Sequence, residues 1–126
     1  MRKNISSGSP FEPVIGFSRA VRIGNVIAVS GTVGRKADGS MEDGVYAQAK
    51  AAIATIEAAL RDAGASLADV IRTRIYVTDL AQDEEVFRAH KEAFGDIRPA
   101  SSLVCIKALA TPEMLVEFEA DAVIES

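Results

Sequence analysis

The residue types that most often carry chemistry are few in this chain, and most fall in its last third. Cys105 is the one cysteine and His90 the one histidine. No intramolecular disulfide can form, and the usual zinc sites, built from several thiolates or imidazoles, cannot be assembled. Ser101-Ser102 lacks a nucleophile-elbow setting, and one histidine on a distant helix gives a serine-hydrolase triad no base. Carboxylates remain. Glu117, Glu119 and Asp121 alternate along a segment, Leu115 to Ile124, of strand-like composition, which places all three on one side of a strand. Arg72 and Arg74 alternate in the same way, so ion pairing is the plain reading of Glu119 and Asp121.

The elements that must position these groups follow from periodicity. Residues 1 to 14, with Gly8, Pro10 and Pro13 among serines, read as an irregular arm. Val21 to Ser30 is rich in valine and isoleucine and breaks at Gly24-Asn25, which predicts a hairpin; Gly34 to Gly44 reads as a loop. From Val45 to Ala63, the residues Val45, Ala49, Ile53, Ile56 and Leu60 recur at helical spacing, Glu57 sits one turn before Arg61, and Gly64 suits the C-terminal cap. Ser66 with Asp69 resembles a capping box for one further turn. Val70 to Thr78 is β-branched and aromatic, a strand. Asp83 is expected to cap a second helix ending at Phe94, with Val86, Phe87, His90 and Phe94 as its stripe. Two strands follow, Ser101 to Ala108 and Leu115 to Ile124, around a turn at Pro112.

The order β-β-α-β-α-β-β, without internal repeat, predicts an α+β fold in which one sheet carries two helices on a single face. Alternation turns Thr73, Ile75 and Val77 toward the helices, with Ser102, Val104 and Ile106 on the next strand and Val116, Phe118, Ala120 and Ala122 on the last. Arg72, Arg74 and Tyr76, then Ser101, Leu103, Cys105 and Lys107, then Glu117, Glu119 and Asp121 are expected on the helix-free face. Such a face is either solvated surface or a subunit interface. The apolar groups among its charges favour the interface.

With 126 residues, 48% hydrophobic and 25% charged, the chain fits one domain over residues 1–126. No apolar run approaches the roughly 20 residues that span a bilayer, and the N-terminus lacks a secretory signal. Cytoplasm and no membrane are the expectation. A formal net charge of −4, without a basic cluster, gives nucleic acid no attraction. Neither metal nor other cofactor is expected.

Across nearly its whole length the chain resembles the reactive intermediate deaminases, the RidA or YjgF family, also called endoribonuclease L-PSP. The resemblance lies in Ile15-Gly16, Gly24-Asn25, Val29-Ser30-Gly31, the Tyr76-Val77-Thr78-Asp79-Leu80 strand end, Ala93-Phe94, Pro99-Ala100, Glu117 and Glu119-Ala120, in that order and spacing. It implies a chorismate-mutase-like fold and a homotrimer, with clefts between subunits around a central barrel. It also implies hydrolysis of an imine or enamine to a carbonyl product and ammonia. Glu117 matches the family's water-orienting glutamate, and Ser30 and Gly31 match a strand end that lines the cleft. Phe17 falls where many members have tyrosine. Ser101 stands where the family has the arginine that grips the substrate carboxylate, and a neutral hydroxyl cannot replace a bidentate guanidinium.

The resemblance therefore implies poor activity on ordinary 2-imino acids, and three functions stand open. One is a deaminase for a different imine or enamine, one a non-catalytic trimer that binds a small metabolite, and one the ribonuclease of the older name, opposed by the charge. Arg19 or Arg22 either supplies a replacement cation or is solvated or paired with surface acids. Cys105 is either a cleft thiol or an inert cysteine.

Overall fold

The β-branched segments pair into one mixed six-stranded sheet. Its strands are β1 (Arg2–Ile5), β2 (Ala20–Ile23), β3 (Val26–Thr32), β4 (Val70–Val77), β5 (Ala100–Cys105) and β6 (Val116–Val123), in the spatial order β1-β2-β3-β6-β4-β5. The structure, a computed structural model, describes residues 1–125. Three helices complete it: α1 (Phe11–Ile15), α2 (Val45–Asp62) and α3 (Asp83–Phe94). β3 and β4 both run antiparallel to β6, and β4 and β5 are parallel. α2 and α3 are thus the crossovers that parallel strands require, and both lie on one face of the sheet.

The helix-facing parity of β4 and β6 is as the sequence predicts. Thr73, Ile75, Val77, Val116, Phe118, Ala120 and Ala122 are buried against Ala52, Ile53, Ile56 and Leu60 of α2 and Val86, Ala89 and Phe94 of α3. Burying a side chain the size of Phe118 or Ile56 stabilises the fold by about 1.5–3 kcal/mol. Alanines on α2 let the helix lie close to the strands. Gly64 adopts φ +87° just past the helix, as a C-terminal glycine should, and Ser66 and Asp69 form the expected capping box.

One buried polar group ties α2 to the sheet. The Gln48 side chain donates to the carbonyls of Glu42 and Glu113 at 3.0 and 2.8 Å and accepts from the Leu115 backbone N–H at 2.9 Å. Gln48→Leu would keep the bulk and strand those three backbone groups. The expected loss is about 2–4 kcal/mol, read as a lower denaturant midpoint with unchanged slope; a change under about 1 kcal/mol would show the groups finding other partners.

Four expectations need correction. Phe87, expected on the buried stripe of α3, is 48% exposed, and Ala89 takes its place in the core. The N-terminal arm is not irregular throughout: β1 pairs with β2, burying Ile5, and α1 follows. Pro13 is tolerated because it sits in the first turn, where its missing N–H would have no helical acceptor. Asp83 does not cap α3; Gln82 is its N-cap, Asp83 opens its first turn, and Asp79 caps a short 3-10 turn, Leu80–Gln82, just ahead of it. The parity of β5 is the reverse of that expected. Ser101 pairs with Thr73, Leu103 with Ile75 and Cys105 with Val77, so these three share the helix-side face while Ser102 and Val104 face away. Pairing with β4 sets this phase, and the edge position leaves most of the strand exposed whichever way it points. Ile106 and Lys107 lie beyond the strand's end.

Candidate functional site

A break in the pairing of β3 with β6 shapes one corner of the fold. β3 advances three residues from Val29 to Thr32 while β6 retreats two, from Ala120 to Phe118, which leaves an irregularity at Ser30-Gly31. Bulges of this kind bend a strand and re-aim its side chains, often beside functional sites. Ser30 is held by its backbone N–H to the Arg19 carbonyl and by Oγ to the Ser18 carbonyl at 2.6 Å. Gly31 faces Glu117 so closely that a Cβ there would lie 2.8 Å from the carboxyl carbon and 3.0 Å from each oxygen. Glycine here leaves room for the carboxylate, which occupies the place a side chain would take.

Glu117 is half-buried. Among the described residues no hydrogen-bond donor reaches its carboxylate, whereas the next acids along the same face are engaged: Tyr76 donates to Glu119 at 3.0 Å, and Arg74 lies 3.1 Å from Asp121 and 3.8 Å from Glu119. The reading of Glu119 and Asp121 as ion-pair partners therefore holds, within the subunit. Burial pushes the Glu117 carboxyl above its ordinary value, Glu119 adds to the rise and Arg19 opposes it. A carboxylate without donors, destabilised as an anion, is primed to accept a proton from water.

Arg19 and Phe17 join this corner. α1 ends at Gly16 with φ +92°, and the turn brings the Phe17 ring to 5.4 Å from the Arg19 guanidinium carbon. Arg19 is buried and donates from Nη1 to the Gly31 carbonyl at 2.6 Å and to Thr32 Oγ1 at 3.0 Å. Arg19 therefore braces the Ser30-Gly31 irregularity. Arg22 belongs elsewhere: it donates to the carbonyls of Gly24 and Ala63, at the far end of β2 beside the end of α2.

Ser101 and Cys105 do not meet Glu117 within one subunit. They lie on β5, with β4 between them and β6, and on the opposite face of the sheet from Glu117. Ser101 Oγ accepts from Thr73 Oγ1 at 2.8 Å, and Thr73 Oγ1 lies 2.9 Å from His90 Nε2. His90 is otherwise a packing residue, against Phe94 and Phe118, and burial lowers its pKa. Cys105 is exposed. Sequence reasoning missed Thr73 and His90 behind Ser101, because contacts between strand and helix leave no local pattern. It also missed the buried Glu12, which accepts from the Ser7 backbone and hydroxyl. Burial pushes the Glu12 carboxyl up, but hydrogen bonds from Ser7 and Ser6 and the charge of Arg19 outweigh it and leave the carboxyl below its ordinary value.

The mixed sheet with two crossover helices on one face is the architecture of a known class of protein. The chain belongs to the RidA/YjgF family: residues 8–124 match the family model described as endoribonuclease L-PSP. The crystal structure of Rv2704 from Mycobacterium tuberculosis, a member of the YjgF/YER057c/UK114 family, superposes with a TM-score of 0.92 at 51% identity, covering 98% of this chain and 100% of that one. The protein SCO2049 of Streptomyces coelicolor is 36% identical, over 95% of this chain and 90% of its own length. A 2-iminobutanoate/2-iminopropanoate deaminase of Dermatophagoides farinae is 26% identical, over 98% of each chain.

Proposed function

We propose that the chain forms a homotrimer whose intersubunit clefts set Phe17, Arg19, Ser30, Gly31 and Glu117 of one subunit against Ser101 and Cys105 of the next. There it hydrolyses an imine or enamine to a carbonyl compound and ammonia. The observation that carries this reading is the donor-free Glu117 carboxylate packed on Gly31. Glu117 takes a proton from water as the water oxygen bonds to the imine carbon. It then returns that proton to nitrogen to give a carbinolamine, and in a second transfer carries the hydroxyl proton to the same nitrogen as the C–O bond becomes a carbonyl and the C–N bond breaks, releasing ammonia. The deaminase from Dermatophagoides farinae supports the reaction class. No metal or other cofactor is needed for these steps, and the proposed setting is the cytoplasm.

Ser101 restricts the substrate. It stands where the family's carboxylate-gripping arginine would, and Arg19, tethered to Gly31 and Thr32, already serves the fold. Ordinary 2-imino acids should therefore be poor substrates. A trimer that binds a metabolite without turnover is the second reading, favoured by the same Ser101 and by the missing hydroxyl at Phe17. The ribonuclease reading is opposed by the net charge of −4.

Assembly is supported by the helix-free face, where Ile23, Val26 and Ile71 stand 52%, 56% and 53% exposed. Apolar groups that cluster in this way on one face mark an interaction surface. Light scattering should give the mass of three chains at micromolar concentration, and Ile71→Glu should dissociate the trimer where Arg61→Glu, on the opposite side, does not. A monomer, or equal effects of the two changes, would contradict the assembly.

The raised Glu117 pKa predicts the pH dependence. Glu117 acts as a base only when ionised, so net ammonia release should fall on acidification through an apparent pKa above the ordinary 4.5, and Glu117→Gln should remove that limb and the activity together. Stability follows with opposite sense: a folded-state pKa above the unfolded value makes ionisation costly to folding. Glu117→Gln should then match the unmodified protein below pH 4.5 and exceed it as pH rises through the folded-state pKa. Full activity of Glu117→Gln would remove Glu117 from the mechanism.

A further inference from the structure

A second concave site lies on the helix side of the sheet. A cavity of about 420 Å³ opens between the N-terminal arm and one flank of α2, lined by Ser7, Arg19, Arg35, Thr55 and the methyl groups of alanines that include Ala54 and Ala58. Its volume is in the range of small-molecule sites. No carboxylate lines it, although two arginines do. Among the described residues neither arginine has an acid within ion-pair distance.

We propose that this cavity binds a small monocarboxylate with a compact apolar body, its carboxylate held by Arg19 and Arg35 and its body against the alanine face of α2. Arg19 is only 9% exposed, and its Nη1 is committed to Gly31 and Thr32. Its Nε is buried without a partner, the one such side-chain atom among the described residues. A buried charged donor left unpaired is costly, and an anion in the cavity that Arg19 lines would offset that cost through its charge. Arg35 is exposed and uses Nη1 on the Gly39 carbonyl, which leaves it donors to spare. Its charge also opposes that of Arg19: burial, first, and then Arg35 lower the Arg19 pKa against the pull of Glu12 and Glu117. An anion between the two arginines would turn this repulsion into attraction.

The remaining lining groups select among anions. Ser7 Oγ donates to Glu12 at 2.6 Å and Thr55 Oγ1 to the Ala51 carbonyl at 3.1 Å, so neither hydroxyl has a proton free for a ligand. Two guanidinium groups over methyl walls match two carboxylate oxygens on an apolar body. A phosphate, with no apolar body, would leave the methyl walls without contact.

The site shares Arg19 with the proposed cleft but not Glu117, and its test uses the full chain without any imine. Isotope-labelled protein is titrated with 2-methylpropanoate, and in parallel with inorganic phosphate, while backbone amide shifts are followed. Saturable shifts at Arg35, Ala54 and Ala58 at millimolar or lower 2-methylpropanoate are expected. Arg35→Gln should weaken binding at least tenfold, and Ala58→Leu, an exposed position where added bulk fills the cavity without disturbing the core, should abolish it. Glu117→Gln, which removes a negative charge that competes for Arg19, should not weaken it. Shifts centred on Glu117, or binding indifferent to Ala58→Leu, would overturn the proposal, as would no saturation by 2-methylpropanoate. Phosphate binding as tight as that of the carboxylate would overturn the assignment of ligand class.

Discussion

Gly34→Ala is expected to destabilise the protein by about 3 kcal/mol or more, among the largest effects a single methyl group can have here. The reason is space. A Cβ on Gly34 would stand 2.1 Å from the Gln48 carbonyl oxygen and 2.5 Å from its Cα, and these are backbone atoms of the buried side of α2. No rotamer change can move them. Yielding would shift the start of the helix, whose Gln48 side chain also anchors Glu42, Glu113 and Leu115. Gly31→Ala is the instructive contrast: its clash is with the end of the Glu117 side chain, which can swing aside. That change should leave the denaturation midpoint nearly unaltered while displacing the carboxylate. If Gly34→Ala proved as mild, the loop from Gly34 to Gly44 would have to be far more yielding than its packing implies.

Ser101→Arg is expected to raise ammonia release from 2-iminopropanoate roughly a hundredfold. A charge-assisted, bidentate contact is worth a few kcal/mol, and every ~1.4 kcal/mol is tenfold in binding or rate. Most of the effect should come from holding the substrate carboxylate so that its imine carbon faces the water on Glu117. Adding Glu117→Gln should remove the gain. The new arginine must also leave the Thr73–Ser101 hydrogen bond, so circular dichroism and the denaturation midpoint should be measured beside the rate. A well-folded Ser101→Arg protein with no gain, even when Phe17→Tyr restores the ring hydroxyl, would contradict the assignment of this position.

Much of the fold was legible because its pattern is strong. α2 starts at Val45 and α3 ends at Phe94 as the apolar spacing predicts, and β4 and β6 show their buried faces because apolar and polar residues alternate without ambiguity. β5 was legible as a strand but not in phase. Its two sides, Ser101-Leu103-Cys105 and Ser102-Val104, are similar in polarity, so pairing with Thr73 and Ile75 decides. β1 is polar at Arg2, Lys3 and Asn4 and is a strand because β2 pairs with it. At the candidate site, the family resemblance pointed to Ser30, Gly31 and Glu117. The bulge that brings Gly31 onto the carboxylate, and the burial of Arg19 against Gly31 and Thr32, arise from contacts between distant segments that no local pattern encodes.

The most direct test is the unmodified protein's rate of ammonia release from freshly generated 2-iminopropanoate, measured beside a family member that carries the arginine and corrected for uncatalysed hydrolysis. If Ser101 leaves the substrate carboxylate without its counter-charge, the rate should be lower by roughly a hundredfold. Equal rates in the two proteins would contradict the account.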